Sequence, residues 1–266
     1  MAVQDYIRSR FFPHIWCVGC GHGTVLNVLL RTVENLGLDK RDIVMVSGIG
    51  CSSRMPGYVD FHSLHTLHGR ALAFATGTKM SKPELTVLVP MGDGDALAIG
   101  GNHFIHACRR NIDMTAIVLN NRIYGMTGGQ FSPLSGPGVV ASTAPNSTYD
   151  PAFDVMRLAV GAGASFAARG STYHVMELQK LLEKAISHKG FSVVEILSPC
   201  PTHFGRKNRQ GDGVEMFEWL KDNTARLGSK AAEENGELIT RGIFVDEERP
   251  EYCEQYQSSL EHSRED

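Results

Sequence analysis

The sequence lacks the features that would place the chain in a membrane or outside the cell. None of its apolar runs approaches the roughly 20 residues that a membrane-spanning helix needs. Residues 1–5 carry neither the basic nor the apolar region of a secretory signal. Six cysteines in 266 residues, with no such signal, also argue against a disulfide scaffold. We therefore expect a cytoplasmic protein with no membrane contact.

The chain also has little net charge. Its formal charge is −3 at pH 7, so no excess of either sign indicates a nucleic acid as partner. Apolar residues make up 42 % and charged residues 21 %, as in globular domains. From residue 229 on, however, 4 basic residues accompany 11 acidic ones. We expect one domain over residues 1–228 and a polar acidic tail, residues 229–266, that contacts a partner subunit.

Apolar strand patterns alternate with amphipathic helix patterns along the chain. Strands are predicted at 42–47, 85–91, 114–120, 165–168 and 191–197, and helices at 25–36, 69–79, 151–160, 175–188 and 213–227. This alternation predicts an α/β fold, a parallel sheet with helices on both faces. The Gly-, Pro- and Ser-rich loop 127–147 is long enough to serve as a lid.

Polar residues follow two consecutive strands. The segment Gly92-Asp93-Gly94-Asp95 ends one predicted strand, and Asn120-Asn121 ends the next. The 28 positions from Asp93 to Asn121 fit one βαβ crossover, which brings both residues to the carboxyl edge of the sheet. A carboxylate, an amide oxygen and the Ile123 carbonyl are hard ligands suited to Mg²⁺ on a diphosphate. Two ordinary strand ends with polar caps are the alternative.

Four cysteines are predicted to reach that same edge. Two form a C-x-x-C pair in a glycine-rich loop, and the others each follow a strand; they are Cys17, Cys20, Cys51 and Cys200. Four thiolates suit a 4Fe–4S cluster, but a structural zinc site or unrelated thiols remain alternatives. Cys108, within an apolar helix, is expected to be buried, and Cys253, in the tail, to be exposed.

Six segments together resemble the β subunit of the 2-oxoacid:ferredoxin oxidoreductases over about residues 12–250. They are residues 16–23, 48–54, 68–71, 92–95, 120–130 and 198–201. The resemblance implies the diphosphate-binding module of the thiamine diphosphate-binding fold. It implies a 4Fe–4S cluster on Cys17, Cys20, Cys51 and Cys200, and Mg²⁺ on Asp93, Asn121 and the Ile123 carbonyl. It also implies thiamine diphosphate contacts from Ile49, Gly50, Cys51, Ser52, His68, Gly94, Asp95, Gly125 and Met126.

The resemblance further implies a reaction and partners. The reaction is CoA-dependent oxidative decarboxylation of a 2-oxoacid, with electrons passing through the cluster to ferredoxin, and it is reversible with a low-potential donor. Thiamine enzymes of this type need a second, pyrimidine-binding domain with an activating glutamate, for which this sequence has no room. That domain lies on an α subunit in the family, so we expect this chain to be inactive alone.

The substrate prediction depends on one arginine. Arg54, three positions after Cys51, is suited to bind a second carboxylate and so favours 2-oxoglutarate, giving succinyl-CoA and CO₂. A surface or interface arginine is the alternative. His68 is the histidine for which we predict a catalytic role. The alternative hypotheses are that the chain is a pyruvate or branched-chain 2-oxoacid member of the family, a subunit of a non-redox thiamine diphosphate enzyme, or a zinc-stabilised subunit without catalytic activity.

Overall fold

The structure of the chain is a computed structural model that describes residues 2–265. Met1 and Asp266, the outer ends of the predicted domain and tail, lie outside them. The strands are β1 (Ile43–Ser47), β2 (His62–His65), β3 (Thr86–Gly92), β4 (Met114–Asn120), β5 (Ile123–Tyr124), β6 (Gln130–Phe131), β7 (Phe166–Ser171), β8 (Phe191–Leu197), β9 (Thr224–Arg226) and β10 (Ile239–Asp246). The helices are α1 (His22–Asn35), α2 (Ala71–Ser81), α3 (Asp93–Leu97), α4 (Gly101–Arg110), α5 (Val155–Gly161), α6 (Val175–Ser187), α7 (Gly213–Asp222), α8 (Lys230–Glu234) and α9 (Tyr252–Glu265).

A central sheet has the strand order β2-β1-β3-β4-β8-β7-β10-β9. Neighbouring strands from β2 to β7 are parallel, whereas β10 runs antiparallel to β7. The chain moves outward from β1 to β2 and then returns to place β3 on the other side of β1. The direction of winding therefore reverses between β1 and β3. Open α/β sheets bind ligands in the crevice beyond the carboxyl ends of the strands at such a point.

Both faces of the sheet are covered by helices. Alternate residues of β1 point to opposite faces, so Val44 and Val46 pack with α2, α4 and α5 while Ile43 and Met45 pack with α1 and α6. Because both faces are buried, the central strands are continuous apolar runs rather than alternating ones. The predicted α/β fold with a parallel sheet and helices on both faces is confirmed.

The C-terminal region differs from the sequence prediction. Residues 239–246, within the predicted tail, form β10 and pair with β7 inside the main sheet. The predicted helix 213–227 ends at Asp222, and β9 follows. Cys253, predicted to be exposed, is buried against the apolar cluster under α5. This strand lies between β7 and β9, and the acidic residues at and after its end obscure the strand pattern in the sequence. That residues 229–266 contact a partner subunit stays a prediction.

Smaller differences concern the elements near the candidate site. His62 and His65, which the sequence analysis assigned to no element, lie on β2, the exposed edge strand of the sheet beside β1. The helix that follows Gly92 begins at Asp93 instead of near Asp95 and is only five residues long. Among the helices of residues 2–265, none has both the length and the apolar content needed to cross a bilayer.

Candidate active site

A cavity of about 590 Å³ lies at the carboxyl ends of β1 and β3, where the winding reverses. The loops after these strands, together with the turn after β4, form most of its wall. Every residue that the sequence predicted to contact thiamine diphosphate or Mg²⁺ lines it: Ile49, Gly50, Cys51, Ser52, His68, Asp93, Gly94, Asp95, Asn121, Ile123, Gly125 and Met126. The sheet topology therefore brings together segments that are up to 77 positions apart (126 − 49) in the sequence.

Asp93 is buried at the base of this cavity. Its side chain is 3 % exposed, and Ser132 Oγ donates a hydrogen bond of 2.6 Å to its Oδ2 atom. Burial raises the pKa of Asp93 to about 6, against the opposing effect of the Ser132 hydrogen bond and of nearby backbone N–H groups. A buried carboxylate with a raised pKa is one that a divalent cation would stabilise in its ionised form.

The turn after β4 presents the two asparagines. The Ile123 backbone N–H donates to Asn121 Oδ1 at 3.2 Å, and the Arg122 N–H donates to Asn120 Oδ1 at 3.1 Å. Arg122 has a φ of +60°, a left-handed conformation that closes the turn. Asp93 and Asn121 therefore offer a carboxylate and an amide oxygen to one cavity, which fits the donor set of Mg²⁺.

Asn120 faces away from the cavity toward a buried charge network. Its Nδ2 atom donates to Glu195 Oε1 at 2.7 Å, and Arg169 Nε donates to the other oxygen of Glu195 at 2.6 Å. Arg169 also pairs with Asp154 at 2.7 Å. Because Asn120 Nδ2 is held by Glu195, its Oδ1 atom stays directed to the Arg122 N–H. The network thus fixes the asparagine turn from the side that faces away from the cavity.

Asp95 organises the opposite wall. Its Oδ1 atom accepts hydrogen bonds from the Gly69 N–H at 2.7 Å and from His68 Nδ1 at 2.6 Å. With Nδ1 donating to Asp95, the orientation of the His68 ring is fixed and its Nε2 edge is turned away from Asp95. Within the described part of the chain, Asp95 Oδ2 and Ser52 Oγ are buried without a hydrogen-bond partner. Unpaired buried polar atoms beside a cavity fit a site that receives a polar ligand.

Glycine is required at two positions on this wall. A Cβ atom on Gly48 would overlap the Asp95 carboxylate, and one on Gly94 would overlap the Tyr124 ring. The Tyr124 hydroxyl donates to the Gly94 carbonyl at 3.2 Å, and burial raises the pKa of Tyr124 to about 12. Backbone, carboxylate and aromatic ring can approach this closely only because both positions lack a side chain.

A second cavity adjoins the first and holds the cysteines. Its volume is about 700 Å³, and all four predicted cluster ligands line it: Cys17, Cys20, Cys51 and Cys200. The two cavities share wall residues Cys51, Asn121, Gly125 and Met126. A Cβ atom on Gly125 would lie 3.4 Å from the Cys51 sulfur and 3.7 Å from the Cys200 sulfur, so those thiols are close neighbours.

Burial disfavours the thiolate form of these cysteines. It raises the pKa of Cys20 to about 12 and that of Cys51 to about 11, and it also raises the pKa of Cys200. The charge of neighbouring thiolates adds to each shift. Thiols arranged in this way lose their protons when a cation compensates the charge, so the donor set fits an iron–sulfur group.

The described residues do not contain a compact site for a single metal ion. Among residues 2–265, no three His, Cys, Asp or Glu side chains are close enough together to bind one. A cubane cluster spaces its four thiolates further apart than one ion does, so four cysteines around a larger cavity are compatible with it. The magnesium donors include an amide and a carbonyl oxygen, which lie outside those four residue types.

Arg54 is the predicted site residue that the fold leaves outside both cavities. It lies on a 3₁₀ turn, Ser52–Gly57, directly after Cys51, and its side chain is exposed. It lines neither the first cavity nor the cysteine cavity formed by the described residues. Its role in binding a substrate carboxylate stays a prediction.

Sequence reasoning favoured a packing or capping role for His22 and missed His203 and Ser132. His22 lines the first cavity with its Nδ1 atom 3.1 Å from the Cys20 sulfur, and complete burial lowers its pKa to about 4. His203 lines the cysteine cavity, and its pKa is lowered by burial and by nearby Lys207 and Arg206. The C-x-x-C-x-His spacing was a signal for His22. Ser132, inside the long loop, carried no such signal.

The fold and sequence of the chain match proteins of one family. Residues 48–196 match the family described as thiamine pyrophosphate enzyme, C-terminal TPP binding domain. The chain is 49 % identical over 260 residues to the 2-oxoglutarate synthase subunit KorB of Methanothermobacter thermautotrophicus, covering 96 % of this chain and 91 % of that protein. It is 45 % identical over 231 residues to the 2-oxoacid:ferredoxin oxidoreductase subunit beta of Saccharolobus solfataricus, covering 86 % and 76 %.

A solved structure gives the same result. The chain superposes with a TM-score of 0.90 and 33 % identity on the 2-oxoglutarate:ferredoxin oxidoreductase from Magnetococcus marinus with 2-oxoglutarate, coenzyme A and succinyl-CoA bound. The match covers 98 % of this chain and 90 % of the other. With a thiamine diphosphate-binding domain and relatives at this level of identity over most of its length, the chain belongs to the β subunits of the 2-oxoacid:ferredoxin oxidoreductases.

Proposed function

We propose that this β subunit, with an α subunit and coenzyme A, oxidatively decarboxylates 2-oxoglutarate to succinyl-CoA and CO₂, with electrons passing through a 4Fe–4S cluster to ferredoxin. The observation that carries the proposal is the shared wall of the two cavities. Cys51 lines both, so a thiamine-bound substrate and an iron–sulfur cluster would lie side by side. A non-redox thiamine enzyme has no use for four cysteines beside its cofactor.

In the first cavity, Asp93, Asn121 and the Ile123 carbonyl would hold Mg²⁺. Ile49, Gly50, Cys51, Ser52, His68, Gly94, Asp95, Gly125 and Met126 would contact thiamine diphosphate. When bound, this cofactor supplies the carbanion that attacks the keto carbon and accepts the electrons released as CO₂ leaves. The protein residues supply position: Asp95 fixes the His68 ring, Ser132 orients the Asp93 carboxylate, and Glu195 fixes the asparagine turn.

In the second cavity, Cys17, Cys20, Cys51 and Cys200 would hold a 4Fe–4S cluster, which takes four thiolate ligands and supplies one-electron transfer. Burial keeps the pKa of the inner thiols high, and the charge of the iron would offset that effect. Cys17 is exposed, so this ligand would bring the cluster edge near the surface.

The α subunit is expected at the mouth of the first cavity. The exposed apolar side chains of Ile49 and Met126 line it, and those of Leu67 and Ile99 are exposed next to His68 and Gly69. Apolar residues grouped around the opening of a polar site are typical of a surface that another subunit covers. The α subunit would bring the pyrimidine-binding domain with its glutamate, so this chain would be inactive alone. Residues 229–266 are proposed to contact a partner, and the cytoplasm is the proposed compartment.

The choice of 2-oxoglutarate is supported by the relatives. Those that match along nearly their whole length are named 2-oxoglutarate synthase subunits, and the solved structure contains 2-oxoglutarate and succinyl-CoA. We propose that Arg54 binds the distal carboxylate of the substrate once the α subunit closes the site. The same residues would serve the reverse reaction, in which a low-potential donor drives CO₂ fixation.

The proposal is tested with the αβ complex purified without oxygen. Viologen reduction is measured with 2-oxoglutarate, pyruvate and 2-oxoisovalerate in the presence of coenzyme A. We expect the highest kcat/KM with 2-oxoglutarate and selective loss of that preference in Arg54→Gln. An equal rate with pyruvate would contradict the substrate assignment. A complex that decarboxylates without reducing viologen would favour a non-redox enzyme, and one with zinc and no thiamine diphosphate would favour a non-catalytic subunit.

A further inference from the structure

The three segments that carry the four predicted cluster ligands contain no acidic residue. Residues 6–33, 43–59 and 196–211 together hold seven arginines and lysines and not one Asp or Glu, in a chain whose net charge is −3. Acidic residues elsewhere outweigh this excess. These segments therefore carry a net positive charge because they lack acidic residues, although Arg8 is paired with Asp60 at 3.6 Å.

Two of these segments pack directly against each other. A Cβ atom on Gly19, between the two cysteines of the C-x-x-C pair, would lie 2.9 Å from Gly213 Cα and 3.3 Å from the Pro201 ring. Pro201 begins a π-helical turn, Pro201–Gly205, and the basic run follows that turn at once. The cysteine loop and the basic run therefore form one continuous surface.

The basic run is exposed and carries uncompensated charge. Arg206, Lys207 and Arg209 have exposed side chains, and among the side chains described for residues 2–263 none of them lies within ion-pair distance of a carboxylate. The neighbouring Asn208 fixes the run, since its side chain accepts from the Val140 N–H at 2.7 Å and donates to the Val140 carbonyl at 3.1 Å. The three cations are thus held at the edge of the cavity by a folded turn.

Exposed apolar side chains lie beside these cations. Val18, next to the exposed Cys17, is 96 % exposed, and Ile15, which lines the cysteine cavity, is 62 % exposed. We use the term cluster rim for this surface, which consists of Ile15, Val18, Arg206, Lys207 and Arg209.

We propose that the cluster rim is the docking surface for an acidic iron–sulfur electron carrier of the ferredoxin type. This inference rests on the proposed function. One electron would leave the reduced cluster behind Cys17 and enter the oxidised cluster of the carrier, and no bond or proton moves. Transfer between two clusters needs a close approach, and a basic rim around an apolar centre steers and then holds an acidic partner.

The α subunit fits the other opening better. The first cavity is lined by the exposed apolar side chain of Ile49, which the cysteine cavity lacks, and by no run of cations. A permanent subunit contact is more apolar than a transient one, whereas electron carriers form small, charge-steered complexes. The apolar opening of the first cavity therefore suits a permanent subunit contact, whereas the basic cluster rim suits a transient electron carrier.

The test compares two electron acceptors with the anaerobic αβ complex. An acidic 4Fe–4S ferredoxin and methyl viologen, a small dye, are each reduced with 2-oxoglutarate and coenzyme A. In the R206Q/K207Q/R209Q variant we expect the KM for ferredoxin to rise about tenfold at low ionic strength, because charge steering speeds association by that order. Viologen turnover and iron content should be unchanged, and the difference in KM should disappear in about 0.5 M salt.

The matched control is R109Q/R110Q/K180Q, which removes three exposed cations that are distant in sequence from the four predicted cluster ligands and outside both cavities. An equal rise in the ferredoxin KM in the control would attribute the effect to net charge and overturn the proposal. An unchanged KM in the rim variant would overturn it too, as would loss of the α subunit from that variant, which would assign the surface to α. A wild-type complex without iron would instead refute the proposed function and, with it, the docking surface.

Discussion

The Ser132 hydroxyl donates a hydrogen bond of 2.6 Å to Asp93 Oδ2, although Ser132 is 39 positions away on a long loop and Asp93 begins α3. The same long loop reaches the asparagine turn, because Ser135 Oγ donates to the Arg122 carbonyl. Two serines therefore fasten the loop 127–147 to both halves of the proposed magnesium site. The segment predicted as a lid is, in this arrangement, part of the wall of the site.

Cofactor binding should depend on pH through Asp93. Its pKa is raised to about 6 by burial, and Mg²⁺ requires the ionised carboxylate. We expect the affinity of the apo complex for magnesium thiamine diphosphate to be constant above pH 6 and to fall about tenfold per pH unit below it. Titration calorimetry between pH 5 and 8 checks this; an affinity that is flat across the range would contradict it.

The raised pKa of Asp93 also makes the stability of the cofactor-free complex depend on pH. The pKa of Asp93 is about 6 in the folded state and 3.8 in the unfolded state, so the folded state holds this proton more tightly. The contribution to stability is thus present below pH 3.8 and is lost as the pH rises through 6. The cofactor-free complex should therefore lose this stability as the pH rises from 3.8 to about 6. Saturating magnesium thiamine diphosphate should restore it. The melting temperature at each pH measures both effects.

Replacing Ser132 should move this pH dependence. The Ser132 hydrogen bond favours the ionised form of Asp93, so Ser132→Ala should shift the fall in affinity upward by about one pH unit. The control is Ser142→Ala, an exposed serine of the same loop whose side chain forms no hydrogen bond to the site within the described residues. Identical pH profiles for Ser132→Ala and wild type would show that the hydroxyl does not set the ionisation.

Glu195 should hold the asparagine turn through its charge. In Glu195→Gln the new amide group meets either Arg169 or Asn120 Nδ2, and both are donors. Breaking a buried ion pair in this way costs about 3 kcal/mol, and rotation of Asn120 would release the Arg122 N–H.

We expect a lower melting temperature of the αβ complex and weaker cofactor binding in this variant. Glu234→Gln is the control, since the Lys230–Glu234 pair is exposed and such pairs contribute about 0–1 kcal/mol. If both variants melt alike, the network is not what fixes the turn.

Gly94 should tolerate no side chain. A Cβ atom there would overlap the Tyr124 ring, and overpacking of this kind costs about 1–3 kcal/mol. Gly94→Ala should destabilise the complex and abolish cofactor binding, whereas Gly94→Ala with Tyr124→Ala should recover the melting temperature. Gly77→Ala is the matched control, because nothing lies within 4 Å of its Cβ position in α2 and alanine favours a helix by about 0.5–1 kcal/mol. Destabilisation by Gly77→Ala as large as that by Gly94→Ala would contradict the account.

The parts of the fold and site that the sequence predicted share one property. Asp93 and Asn121 each follow an apolar strand, and parallel strands joined by one crossover end at the same edge. Cys51 follows β1 and Cys200 follows β8, so the same rule placed them. The positions of strand ends can thus be predicted from the sequence, because the local apolar pattern and the geometry of the sheet together determine them.

The parts that the sequence did not reveal depend on contacts without a local pattern. Ser132 reaches Asp93 from a long loop whose path no periodicity describes. The strand β10 pairs with β7 across about 70 residues, and the acidic residues that follow it resemble a solvated tail. Arg54 lies close to Cys51 in sequence, yet a 3₁₀ turn directs it outward.

The central claim is that this chain binds a 4Fe–4S cluster beside thiamine diphosphate. The most direct measurement is iron, sulfide and thiamine diphosphate quantitation on the anaerobic αβ complex, for wild type, Cys200→Ser and the control Cys108→Ala. The account predicts about four irons and one thiamine diphosphate per pair in wild type and Cys108→Ala, as one cubane with four thiolate ligands requires. Iron should be lost in Cys200→Ser. Zinc in place of iron, or full iron content in Cys200→Ser, would contradict it.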